Sequence, residues 1–255
     1  MKTMLCVGLV CSALWACESD PMREQPETKT EDAGPKAAAL RVLAPDEPYQ
    51  GKSLEEWAVE YVRWSLSQTD CDSALFDEDG SLCSRYQNRD SPVFFIERSD
   101  YGRVGVPKTT RTQCHVPASK ALLAPVSLLS LDNTDAKTPR SDAELEAMAT
   151  DLKDSMRNMR LTADGVSIDD LRDRGVGPIR FAYSVPPEPN VFSCNNVKGI
   201  AATTIEPAFA IGFLVMFEPP EPGPHQFEFA SVFTYNQREY AFQVDNHFTV
   251  DEPSE

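Results

Sequence analysis

Leu14-Trp15-Ala16-Cys17 constrains this chain more than any other stretch, because it decides which residues fold, in which compartment, and with which cysteines. Ahead of it, Met4 to Trp15 is an apolar run behind one basic residue, Lys2. That run is too short to span a bilayer as a stable helix and reads as the core of a signal peptide. A lipoprotein signal peptidase needs an aliphatic residue three before the cut, a small residue directly before it, and a cysteine thiol that accepts diacylglycerol. Leu14, Ala16 and Cys17 meet these demands, although Trp15 is bulkier than usual. Residues 1–16 are therefore expected to be removed, with Cys17 the lipid-modified first residue of the mature chain. The competing reading, an ordinary secretory peptide with Cys17 a free thiol, leaves an unpaired exposed cysteine outside the cell. Several acyl chains hold a protein firmly, each buried methylene adding about 0.8 kcal/mol. Glu18 follows Cys17, so the simplest inner-membrane retention signal, an Asp at that place, is missing. The expected location is the bacterial outer membrane or cell surface, lipid-anchored and facing an oxidising compartment.

Of seven cysteines, Cys6 and Cys11 leave with the signal peptide and Cys17 is acylated. Cys71, Cys83, Cys114 and Cys194 remain, an even number that reads as two disulfides with three possible connectivities. A four-thiolate zinc site needs closely spaced cysteine pairs, and none occurs. No metal or other cofactor is expected. The formal net charge is −16. Nucleic acid and anionic lipid surfaces bind basic patches, so neither is an expected partner; the membrane is met through the Cys17 anchor alone.

From Glu18 to Pro48 five prolines stand among Glu, Asp, Thr and Ala, with one weak apolar patch at Leu40, Val42 and Leu43. Such a composition buries too little surface to offset chain entropy, so residues 17–48 are expected to form a disordered acidic tether reaching roughly 30 Å. Residues 49–255 are expected to form one β-rich globular domain. Its first element is a helix from Ser53 to about Leu66, opened by a Ser53/Glu56 capping box, with Trp57, Tyr61 and Trp64 on one stripe. The stripe suits core packing; as a sugar-stacking platform, Trp57 and Trp64 would be candidate ligand contacts. The Asp70 to Gly80 segment is acidic but does not fit an EF-hand register, and reads as a solvated turn.

Strands are expected at Val93 to Ile96, Ala121 to Leu131, Ile179 to Tyr183, Ala208 to Phe217, His225 to Phe229 and the alternating run Tyr240 to Val250. A second helix, capped by Ser141 and Glu144, carries Leu145, Met148, Leu152, Met156 and Met159 along its inner stripe. Many strands, few helices and proline-rich turns indicate an antiparallel, jelly-roll-like β-sandwich with two helices packed outside it.

Taken in order, several segments carry a resemblance: Gly51 to Trp57 with Trp64, Asp79-Gly80 through Cys83 and Gln87 to Ile96, and Cys114 to Lys120. It continues through Ile168 to Leu171, Pro178 to Phe181, Gly212 to Met216, Pro222 to Phe229 and Phe248 to Val250. The chain resembles a family of uncharacterised exported proteins of myxobacteria, planctomycetes and related bacteria. Phe94 stands where that family usually has Trp, Ser119 where it has Gly, and Arg111 to Cys114 is one residue longer, which would mark a β-bulge. The resemblance implies that Cys83 pairs with Cys114 and Cys71 with Cys194. It implies no activity.

No G-x-S-x-G elbow, HExxH, Walker loop or GxGxxG fingerprint occurs. His225 lies in phase with Phe227 and Phe229, which suits a hydrogen-bonded structural histidine as well as a candidate binding residue. His115, Asp169, Asp170 and Glu206 could serve a hydrolase only if the fold brought them together. The sequence thus favours a binding or structural module of the cell envelope, meeting an envelope protein or a glycan, over a secreted hydrolase assembled from distant strands.

Overall fold

A computed structural model describes residues 40–97, 109–134, 136 and 138–253, all within one compact unit. The signal peptide, Cys17 and the tether as far as residue 39 lie outside the described residues. Helix α1 (Leu54–Leu66) starts at the expected capping box: Ser53 accepts from the Glu56 amide, and the Glu56 carboxylate accepts from the Ser53 amide. Strands β1 (Val93–Phe95), β2 (Thr109–Val116) and β3 (Ala121–Leu131) follow. Next come helix α2 (Asp142–Asp154), strands β4 (Arg157–Ala163) and β5 (Val166–Ser167), and a 3-10 turn at Leu171–Arg174. The chain closes with β6 (Gly175–Val185), the single turn α3 (Val191–Cys194), β7 (Thr203–Phe217), β8 (Gly223–Tyr235) and β9 (Arg238–Val250).

The strands form a sandwich of two sheets, ordered β1-β3-β7-β6 and β2-β9-β8-β4-β5. Pairing is antiparallel through the body of both sheets, while the edge pairs β1 with β3 and β2 with β9 are parallel. The two sheets are therefore mixed, because the chain returns to each edge by a crossover instead of a hairpin.

Residue parity along β7 separates two interiors. Ala208, Ala210, Leu214 and Met216 face α1, which covers the outer face of the four-stranded sheet with Trp57, Tyr61 and Trp64. Val215 and Phe217 meet Phe227, Phe229, Val244 and Phe248 of the other sheet. Farther along the same face, Phe209, Ile211 and Phe213 take the Leu145, Ala149 and Leu152 stripe of α2. One strand thus holds three layers together, which explains why its apolar run is nearly continuous instead of alternating.

The bulge expected near Cys114 is present: the β2–β9 register shifts between Arg111 and Cys114. The amides of Thr112 and Gln113 both donate to the Asp79 carbonyl, so the acidic loop clasps the bulged strand. Both disulfides pair as the resemblance implies, Cys71 with Cys194 and Cys83 with Cys114.

Three expectations change. Leu40 to Pro48 belongs to the folded unit and not to the tether: Val42 bridges Phe217, the Leu43 amide donates to Met216, and the Leu43 side chain is buried. The second helix ends at Asp154, before Met156 and Met159. Ser155 caps it, its hydroxyl donating to the Leu152 carbonyl and accepting from the Thr234 amide of β8, so the chain crosses directly into β4. Asp77 is buried, not solvated, because its carboxylate accepts from the Gly80 and Leu82 amides and shapes the turn. Burial pushes the Asp77 carboxyl up, whereas the Ser81 amide holds the exposed Asp79 carboxyl below the usual range.

Candidate functional site

The three candidate contacts named from the sequence all pack inside the fold. Trp57 and Trp64 are 2 % and 8 % exposed; their indole N–H groups donate to the carbonyls of Tyr49 and Tyr86. Tyr61, Trp64 and Phe95 form a triangle of rings with centroids 5.3–5.5 Å apart. This is a core cluster, since a stacking platform must present a ring face to water. His225, 4 % exposed, lies 2.8 Å through Nδ1 from Asp164 Oδ2 and 2.8 Å through Nε2 from the Glu221 carbonyl. The ring has both nitrogens engaged within the fold and neither turned to an open cleft. Its role is to tie the start of β8 to the β4–β5 turn, and Asp164 completes the tie by accepting from the Gln226 amide.

The other polar candidates stay apart. His115 is exposed, with Nδ1 3.1 Å from Asp251. Asp169 accepts from the Ser167 hydroxyl, Asp170 grips Arg174 through both oxygens, and Glu206 pairs with Arg180. In the acidic loop Asp70 receives Arg85 and the Tyr86 hydroxyl, and Asp79 receives the Ser81 amide and Gln113. Among the described residues no group of three acidic, histidine or cysteine side chains is placed to hold a metal ion.

A candidate site lies at the hairpin end of the sandwich. A cleft of about 410 Å³ opens there between the end of β3, the β8–β9 hairpin and the α3 turn. The hairpin turn Asn236-Gln237 has positive φ at both residues, 48° and 61°, the twist that suits a two-residue turn between right-twisted strands. That turn sets Phe233 opposite Tyr240, and their rings stack at 5.1 Å with an interplanar angle of 15°. Tyr235, one step nearer the turn, also lines the cleft.

The facing wall is held by Asn190, whose buried amide donates to the Pro186 and Ile200 carbonyls and accepts from the Phe192 and Ser193 amides. The Cys71–Cys194 disulfide fastens the same turn to the segment that follows α1. Val191, Phe192 and Asn195 thus present a fixed wall. At the floor sits Asp132, with Oδ2 accepting from the Tyr183 hydroxyl at 2.7 Å and Oδ1 from the Thr134 amide at 2.7 Å. Val197, 42 % exposed, stands at the rim. Among the described residues the lining contains one carboxylate and no Lys, Arg or His.

Sequence reasoning missed this site because its parts carry the signals of core. Tyr240 shares the apolar parity of β9, and Leu129 and Leu131 continue the apolar run of β3. Only the separation of β3 from the hairpin leaves them lining a cleft.

No protein-family model matches the sequence, and no curated protein is significantly similar to it. A solution structure of amebosin aligns with a TM-score of 0.18 and 10% identity, covering 56% of this chain and 96% of its own; a likeness this slight carries no argument. Two disulfides suit an oxidising compartment. No helix among the described residues is long and apolar enough to cross a membrane.

Proposed function

We propose that this protein is an exported, envelope-tethered binding module that captures a small ligand in the cleft between the β8–β9 hairpin and the α3 turn. The observation that carries the reading is a concave, largely apolar site of about 410 Å³ whose walls are fastened before any ligand arrives. Pockets of this size, apolar with a few placed polar groups, suit small molecules, and prior fixation lowers the entropy lost on binding. The hydrolase reading finds less support, because among the described residues the cleft lining holds a single carboxylate and no histidine.

The anchoring part of the proposal rests on Leu14-Trp15-Ala16-Cys17 and the proline-rich segment behind it. Palmitate labelling that disappears in Cys17→Ser supports the anchor; labelling retained in that variant refutes it.

For the cleft, saturation-transfer NMR with benzyl alcohol and neutral methyl glycosides is expected to show contact that Leu131→Trp, which fills the cleft, abolishes. Equal signals in both proteins, or none with any probe, would overturn the cleft as a binding site. A signal from the glycosides would bring the glycan partner forward over an envelope protein.

A further inference from the structure

We propose that the cleft takes an organic ammonium ion, a small ligand with a quaternary or alkylated amine in an apolar shell. The inference rests on the binding reading above and names its ligand class. Four of the lining side chains are aromatic: Phe192, Phe233, Tyr235 and Tyr240. An aromatic face is electronegative, and rings gathered around a cation stabilise it, most strongly where water is excluded. Quaternary ammonium groups suit such a setting because they carry charge without hydrogen-bond donors, so an apolar wall leaves nothing unsatisfied.

The electrostatics point the same way. Among the described residues Asp132 is the one carboxylate in the lining, which contains no Lys, Arg or His. Its carboxylate is held in place by Tyr183 and Thr134, both of which donate to it. Arg140 reaches the same residue, but through the Asp132 backbone carbonyl at 3.3 Å. The remainder of the chain adds to the field, since the formal net charge is −16. An anionic ligand would meet a carboxylate and no cation among the described lining residues, and a neutral one would gain at most a hydrogen bond from that carboxylate.

The test is calorimetric titration of the full chain with choline and with its neutral carbon isostere, 3,3-dimethyl-1-butanol. The two probes share shape and differ in charge. Choline is expected to bind about tenfold more tightly than the isostere, the scale of a partly desolvated cation–π contact. Tyr240→Ala is expected to weaken choline at least fivefold and to narrow the gap between the probes. Asp132→Asn is expected to narrow it as well, and a thermal melt confirms that each variant folds.

Equal affinity for the two probes overturns the ammonium inference and leaves the cleft standing as an apolar site. Preference for the isostere does the same. Binding of benzyl alcohol without binding of choline overturns the inference too. Failure of every probe removes the binding reading together with the inference.

Discussion

At the residue scale, burial and backbone conformation decide which side chains matter. Trp57 fills the space under α1 and keeps its N–H bonded to Tyr49. Trp57→Ala is expected to lower unfolding free energy by about 3–5 kcal/mol, measured by urea denaturation. Ser119 has a φ of 68°, in the left-handed region. A side chain there costs about 1–2 kcal/mol, part of which glycine returns as chain entropy. Ser119→Gly is expected to stabilise by about 0.5 kcal/mol. Asp170 shows how a surface carboxylate gains from a buried partner: the hydrogen bond from Arg174 holds its carboxyl below the usual range. A depressed folded pKa means that the stabilisation is complete above the unfolded value, near 3.8, and is lost as the pH falls through the folded one. Because Asp170 is part-exposed, solvent screening limits the cost of Asp170→Asn to about 1 kcal/mol at neutral pH. Melting temperatures of the variant and the wild type should converge in acid; a constant gap would refute the ion pair as the cause.

At the element scale, close approach of β3 and β7 is the most demanding contact. Their register shifts between Pro125 and Ser127, and Gly212 of β7 sits against that irregularity with a φ of 149°. A Cβ at Gly212 would lie 1.9 Å from the Ser127 carbonyl oxygen, inside any tolerable contact, and the neighbour is backbone that cannot swing away. Gly212→Ala is therefore expected to cost about 3 kcal/mol, read as a lower denaturation midpoint. An unchanged midpoint would mean that the two strands separate here at little expense. The capping boxes of α1 and α2 were legible because they are local, each a serine and a glutamate three residues apart. The end of α2 was not. Met156 and Met159 continue a helical spacing, yet the chain from Arg157 onward turns to pair with β8 as β4.

At the scale of the whole molecule, the Cys71–Cys194 bridge spans 123 residues and holds both the end of the α1 layer and one wall of the cleft. Replacing both cysteines by serine is expected to cost about 2–5 kcal/mol and to weaken any ligand held in the cleft. Intact-mass measurement before and after reduction should report two bridges in the wild type and one in the variant. If the variant binds as tightly as the wild type, the α3 wall is held by Asn190 alone.

The sequence by itself made local and compositional features legible: two disulfides among Cys71, Cys83, Cys114 and Cys194, the helix caps, and the alternation that marks the strands. It also carried the disulfide pairing, through an ordered resemblance and not through spacing. Which apolar residues are core and which line a cleft depends on how the elements pack. Trp57 and Tyr240 are both aromatic residues on apolar stripes, but one meets a sheet and the other borders open space. Hydrophobic periodicity reports that a face avoids water, not what covers it. Where β3 parts from the hairpin, no described element covers the apolar face, and the candidate site lies there.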